Sequence, residues 1–142
     1  MLSPKQVSLA IAQLMPHIIQ GVHLDFLTSR SITQTQFLVL VAIHARTKCS
    51  MNVLASNMQV SMPTMSGIVD RLAKGKYLQR IEDPSDRRQV VVALTAKGKK
   101  VIEDFQAAVS ARWQQVLQTL NQNELASFYQ VISALSQRLQ KR

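Results

Sequence analysis

The stretch that decides the fold is SMPTMSGIVDRLAKGKYLQRIEDPSDRRQVVVALTAKG, residues 61–98. Four apolar residues near its start are spaced i, i+3, i+4 and i+7, which predicts a helix with one inward face. These residues are Met65, Ile68, Val69 and Leu72. The period then changes, because Tyr77–Ile81 and Val90–Leu94 are short β-branched and aromatic runs joined by a charged Asp-Pro turn segment. The stretch therefore predicts a helix followed by a two-stranded hairpin with a charged tip.

A shorter helix precedes this one. Ser61 can cap the later helix, and Ser50 can cap a brief one that ends before Gln59. About three residues separate the two, which is the connection length of a helix-turn-helix. Further upstream, Thr33 and Gln36 have the form of a capping box for another helix. The short polar segment 47–49 is predicted as a break between helices.

The two ends of the chain carry long apolar stripes. From Ser3 to about Leu27 apolar residues recur every three or four positions, which predicts a helix, and Pro16 predicts a kink or a later start. Thr95 can cap a long helix, and Asn121 with Glu124 marks a restart. The last stripe is close to a coiled-coil seam and consists of Leu125, Phe128, Ile132, Leu135 and Leu139. Packing against the same helices of a second copy would bury both stripes, so we expect a homodimer.

Positive charge is concentrated in the middle of the chain. The 142 residues have a formal net charge of +9 and a pI near 10.3, which predicts attraction to polyanions. Residues 31–100 hold eleven Lys or Arg against four Asp or Glu, whereas both flanks are nearly neutral. We therefore expect residues 31–100 to form a DNA-binding winged helix-turn-helix, and 1–30 with 101–142 to form dimerisation helices of the same continuous unit.

Other function classes find no support in the sequence. The N-terminus has no charged segment followed by an apolar core, and no stretch approaches the roughly 20 apolar residues of a membrane span. We expect a cytoplasmic protein with no membrane partner. No Ser/His/Asp arrangement, glycine-rich phosphate loop or paired-acid motif is visible, so we expect neither an enzyme nor a cofactor. The three histidines do not share a helix face and no further ligands complete a set, so we expect no metal site.

The outward side of the helix that follows Ser61 suits the major groove of duplex DNA, where short polar side chains and Arg reach base edges and phosphates. Its first turn is small and uncharged, so the backbone can come close. The predicted DNA-binding residues on this helix are Ser61, Pro63, Thr64, Ser66, Arg71 and Lys74. At the hairpin tip, one of Arg87 and Arg88 can enter a minor groove while the other pairs with an acid such as Asp70.

The run from Asp83 to Gly98 resembles the wing signature of the MarR family of bacterial transcription regulators, the multiple-antibiotic-resistance type. Residues 68–72 resemble the recognition-helix segment of that family, and the order of helices agrees over essentially the whole chain. The resemblance implies a homodimer with interleaved first and last helices and two winged lobes on a palindromic operator. Many members are repressors that are released by small aromatic or phenolic ligands bound between the dimer helices and the lobe.

The resemblance also implies roles for the hairpin residues. Arg87 would contact the minor groove. The wing would be stabilised by Arg88 together with Asp70, and Asp86 is predicted to have the same stabilising role. Two positions depart from the family pattern. Gly67 stands where many relatives carry a longer polar side chain, so one base contact is expected to be absent. Relatives place a glycine at the position of Lys76, one residue after Gly75, so we expect a shifted helix ending.

The sequence therefore predicts a mainly α fold with a small β-hairpin wing. The predicted function is a sequence-specific DNA-binding transcription regulator, a repressor that a small-molecule ligand releases. Two alternatives stay open: a winged-helix protein-interaction module and a non-specific nucleic-acid-binding protein. The latter would bind with a steep salt dependence and without preference among sequences.

Overall fold

The structure is a computed structural model that describes residues 1–140, without the side chains of residues 21 and 23–25 in the first helix. Six helices and three short strands make up the described chain. In order they are α1 (Pro4–Ser29), α2 (Gln34–His44), β1 (Lys48–Ser50), α3 (Met51–Met58), α4 (Met62–Lys74), β2 (Leu78–Glu82), β3 (Val90–Leu94), α5 (Ala96–Leu117) and α6 (Gln122–Gln140). The mainly α fold with a small wing is confirmed.

The helix starts follow the predicted caps. The side-chain oxygens of Thr33, Ser50, Ser61 and Thr95 each accept a hydrogen bond from the backbone amide three residues later. At Thr33 the box is complete, because Gln36 Oε1 accepts from the Thr33 amide at 3.0 Å. Each cap satisfies an amide that the first helical turn leaves without a partner.

Helix α1 differs from expectation at its start. It begins at Pro4, where Ser3 and Gln6 form a capping box, and it continues through Pro16. The prediction of a later start is wrong. Ser3 and Pro4 together supply a complete helix start upstream, with Pro4 in the first turn where its missing amide costs no hydrogen bond.

A three-stranded antiparallel sheet has the order β1-β3-β2. The hairpin of β2 and β3 runs in register from Leu78 opposite Leu94 to Glu82 opposite Val90, which confirms the predicted wing. Strand β1 replaces the predicted polar break. Its Cys49 pairs with Val92 of β3, and both side chains are buried. A strand of three residues has no readable period, so only its pairing partner defines it.

The predicted lobe, residues 31–100, has its core between the sheet and helices α2 to α4, and this core continues into α1 and α5. The inward residues Met65, Val69 and Leu72 of α4 are at most 1% exposed, whereas Ile68 is only half-buried. The rings of Phe26, Phe37 and Phe105 then join α1, α2 and α5, with centroids 4.6 to 6.1 Å apart. The terminal helices α1 and α5 thus share an aromatic cluster with the lobe.

A second connection lies beside this cluster. Asp104 on α5 accepts hydrogen bonds from Lys100 and from Arg30 Nη2, the latter at 3.1 Å, and these bonds lower the pKa of Asp104. Arg30 directly follows α1, and its guanidinium carbon lies 3.9 Å from the centroid of the Phe26 ring. The end of α1 is therefore tied to α5 by charge as well as by packing.

The end of α4 corrects the prediction of a shifted helix ending. Lys76 adopts the left-handed φ of 62°, whereas Gly75 has an ordinary φ of −75°. The amides of Lys76 and Tyr77 donate to the carbonyls of Ala73 and Leu72, each at 2.9 Å, which is the Schellman pattern. Gly75 has a different use, since a Cβ there would lie 2.9 Å from carbons of the Tyr77 ring.

We expect Lys76→Gly to raise the free energy of unfolding by about 1 kcal/mol, because a left-handed φ strains every residue with a Cβ. Chemical denaturation of the purified protein measures this gain. Lys74→Gly is the matched control, since the same change inside a helix should cost about 1 kcal/mol. Losses in both variants would contradict the assigned strain at Lys76.

Candidate nucleic-acid interface

The outer side of α4 presents the predicted groove-facing residues. Ser61, Pro63, Thr64, Arg71 and Lys74 are exposed, and Ser66 is half-buried. Ser61 and Thr64 are also engaged with each other, since their hydroxyl oxygens lie 2.9 Å apart. One helix therefore carries all six residues, with small side chains at its start and basic ones at its end.

The ion pair that connects α4 to the wing is formed by Arg80 and not by the predicted Arg88. Arg80 Nη2 on β2 donates to Asp70 Oδ1 on α4, and no ion pair within residues 1–140 joins Arg88 to Asp70. The register explains the correction. Arg80 lies opposite Val92, near the helix, whereas Arg88 precedes Val90 at the far end of the hairpin. Both partners are exposed, so this pair orders the wing more than it stabilises the fold.

The wing tip is organised by two aspartates. Asp83 Oδ1 accepts from the Ser85 amide at 3.0 Å and from its hydroxyl at 2.6 Å, and these hydrogen bonds lower the pKa of Asp83. Asp86 Oδ1 accepts from the Arg88 amide at 3.0 Å, and its role in stabilising the wing stays a prediction. Such side-chain to backbone bonds define turns, so the tip is a shaped loop that carries exposed Arg87 and Arg88.

A set of contacts that we call the joint connects the end of α4, the start of the wing and the start of α5. It consists of residues 75–77 and 95–98. Thr95 Oγ1 donates to the Lys76 carbonyl at 2.6 Å, and Lys97 Nζ donates to the Gly75 carbonyl at 2.8 Å. The Thr95 amide donates to the Tyr77 carbonyl at 3.1 Å. Three hydrogen bonds thus fix α4, the wing and α5 relative to one another.

Gly98 makes the close approach at the joint possible. A Cβ on Gly98 would lie 2.0 Å from the Tyr77 carbonyl oxygen, so the two atoms would overlap. From the sequence alone, Gly98 is notable only for its place in the wing signature. It lies inside α5, and Tyr77, whose carbonyl it approaches, is about twenty positions earlier, so no local pattern reveals the contact.

Neither a metal-ligand cluster nor a membrane-spanning helix is found among the described residues. No group of three His, Cys, Asp or Glu side chains among them lies close enough to hold a metal ion. Within residues 1–140, no helix is both long and apolar enough to cross a bilayer. The basic outer surface of α4 and the wing is therefore the leading candidate for a functional site.

Comparison with known proteins finds transcription regulators. A family model described as the MarR family matches residues 32–90. The HTH-type transcriptional regulator YfiV of Bacillus subtilis is 31% identical over 110 residues, which cover 78% of this chain and 68% of that protein. The HTH-type transcriptional repressor YetL of the same species is 23% identical over 131 residues, which cover 91% and 76%.

Solved structures resemble the whole chain in fold. A transcriptional regulator from Thermotoga maritima has a TM-score of 0.76 at 23% identity, with 93% of this chain and 95% of that chain covered. A MepR–DNA complex from S. aureus has a TM-score of 0.71 at 22% identity, with 89% and 96% covered. At these identities the likeness shows a shared fold.

Proposed function

Since this chain belongs to the MarR family and is a transcriptional regulator, we propose that it binds a palindromic operator as a homodimer and represses transcription until a small aromatic or phenolic effector releases it. Its relatives are transcriptional regulators, not enzymes. The observation that carries the proposal is the fixed pairing of two basic elements. The outer side of α4 and the base of the wing, which carries the tip, are held together by Asp70–Arg80 and by the joint.

This rigid pairing matters for sequence-specific binding. A helix can read base edges in the major groove while a loop enters the adjacent minor groove only if their separation matches the duplex. A flexible wing would lose part of its binding energy to the entropy of ordering. The two connections between α4 and the wing order the wing in the free protein, so less conformational entropy is lost when DNA binds.

The apolar surface of the terminal helices supports the homodimer. Helix α6 has no buried residue in the single chain, and its stripe residues Phe128, Ile132, Leu135 and Leu139 are 37 to 73% exposed. A hollow of about 410 Å³ between α1, α5 and α6 is almost entirely apolar, with Leu14, Trp113 and Ile132 in its wall. Contiguous apolar surface of this kind marks a site of association, and two-fold pairing of identical stripes would cover it.

Selection of bound duplexes from a random pool, followed by footprinting, tests the proposal. We expect two protected half-sites about 10 base pairs apart on one face of the duplex. Affinity indifferent to sequence, without a protected palindrome, would instead indicate a non-specific nucleic-acid-binding protein. Adding small phenolic acids to the complex with the selected duplex tests the proposed effector. If no compound of a broad panel released the duplex, the proposed release by a small ligand would be contradicted.

We expect Arg87→Ala to weaken binding by about 1 to 3 kcal/mol on duplexes with A·T-rich flanks, and by less where the flanks are G·C-rich. The reason is that narrow A·T-rich minor grooves have an enhanced negative potential. Fluorescence anisotropy on matched duplexes measures the difference. Lys99→Ala, also exposed, should lower affinity evenly across sequences, and an equally even loss for Arg87→Ala would contradict its predicted role.

A further inference from the structure

A basic hollow lies between the two elements proposed to enter the grooves. Its volume is about 430 Å³, and its wall is formed by the start of α3, the first half of α4 and the wing. The polar residues in the wall are Ser50, Asn52, Ser66, Arg80, Arg88 and Gln89. No acidic residue is among those that line it, although Arg80 is paired with Asp70 outside the wall.

The two arginines that line the hollow differ in their side-chain partners. Arg80 is held by Asp70, which fixes its position in the wall. Arg88 has its backbone amide bound to Asp86, but its guanidinium has no hydrogen-bond or ion-pair partner among the described residues. With Asp70 taken by Arg80, the wing-stabilising pair expected for Arg88 is not formed. An exposed guanidinium on a concave basic surface is suited to bind a phosphate.

The position of the hollow indicates which ligand it binds, and this step rests on the proposed function. When a helix occupies a major groove and a loop occupies the next minor groove, one sugar-phosphate strand separates the two grooves and must pass between the two elements. The hollow is the space between α4 and the wing. We propose that it binds phosphates of that strand, with Arg88 as the principal contact and Arg80 as a second, pre-positioned one.

This assignment gives Arg88 a role distinct from that of Arg87. A phosphate contact is independent of sequence, and it contributes to the dependence of affinity on salt. A minor-groove contact depends on the width of the groove and hence on sequence. A wing-stabilising residue would affect the folded protein even without DNA. The three roles therefore predict different results for Arg88→Ala.

The test uses the full chain and a duplex selected by the wild-type protein. For Arg88→Ala we expect the slope of log affinity against log salt concentration to fall by about 1, with equal fold losses on selected and unrelated duplexes. The melting temperature without DNA should stay unchanged. Arg112→Ala on α5 removes the same charge away from the hollow, and it should leave the slope close to that of wild type.

Neutral methylphosphonates placed one at a time along the selected duplex locate the contact. We expect a phosphate between the protected grooves whose neutralisation weakens wild type severalfold but costs Arg88→Ala nothing further. Loss confined to A·T-rich duplexes, a lowered melting temperature, or additive effects at every phosphate would overturn the assignment. If the wild-type protein bound selected and unrelated duplexes with equal affinity, that result would instead refute the proposed function.

Discussion

Gly98→Ala is expected to lower the free energy of unfolding by about 3 kcal/mol, at the upper end of what overpacking costs. The added methyl would lie 2.0 Å from the Tyr77 carbonyl oxygen and 3.0 Å from its carbon, so backbone and not a flexible side chain must move. That movement also breaks the joint, since the Tyr77 carbonyl accepts from the Thr95 amide. Thermal denaturation measures the effect, and a fall in melting temperature of about 10 °C is expected.

Gly67→Ala is the matched control for this prediction. Gly67 also lies inside a helix, but a Cβ there would meet nothing within 4 Å. Because glycine is a poor helix former, the same substitution should raise the free energy of unfolding by about 0.5 to 1 kcal/mol. Opposite signs for the two variants would show that the cost at Gly98 comes from the contact with Tyr77. Equal effects would disprove that contact.

Ile132→Glu is expected to convert the proposed homodimer to a monomer at micromolar concentration and to weaken binding to the proposed operator more than about 100-fold. Ile132 lies in the middle of the α6 stripe and is 47% exposed in the single chain, so the change costs a monomer little. In a dimer it would bury a carboxylate between apolar side chains, with a penalty of several kcal/mol for each copy. Sedimentation equilibrium and anisotropy with the selected duplex measure both effects.

Gln137→Glu provides the control for charge. Gln137 is exposed on the opposite side of α6 from the stripe, so the added carboxylate should leave the dimer and its operator affinity intact. A dimer that survives Ile132→Glu would show that the stripe does not form the interface. A monomeric variant that still binds the operator as tightly as wild type would refute two-fold recognition.

Local chemistry explains which elements the sequence predicts well. The caps at Thr33, Ser50, Ser61 and Thr95 involve residues three apart, and each is found as expected. The hairpin follows from two β-branched runs around a turn, which is also a local signal. The residues proposed to bind DNA follow from the period of α4 and the charged tip, and the structure leaves them exposed or half-buried.

Contacts that leave no side-chain pattern in the sequence explain the errors. Asp70 could pair with several arginines of the wing, and only the strand register places Arg80 within reach. Strand β1 exists because β3 pairs with it, and three residues carry no pattern of their own. The left-handed residue at Lys76 is set by two backbone hydrogen bonds that override the preference for glycine. For Asp70 and for β1 the deciding contact joins two different elements, whereas at Lys76 it is a pair of backbone bonds at the helix end that no side-chain pattern reveals.

Helix α5 is a single rod that starts at the joint and ends beside α6. Its 22 residues span about 33 Å at 1.5 Å per residue. A tilt of about 5° at the end beside α6 would therefore displace the other end by roughly 3 Å, and the three hydrogen bonds at the joint would carry the wing with it. In the proposed homodimer, a molecule that separates the paired terminal helices therefore need not contact the wing. The tilt of α5 alone would change the distance between the two DNA-binding surfaces, so that it no longer matches successive turns of the duplex.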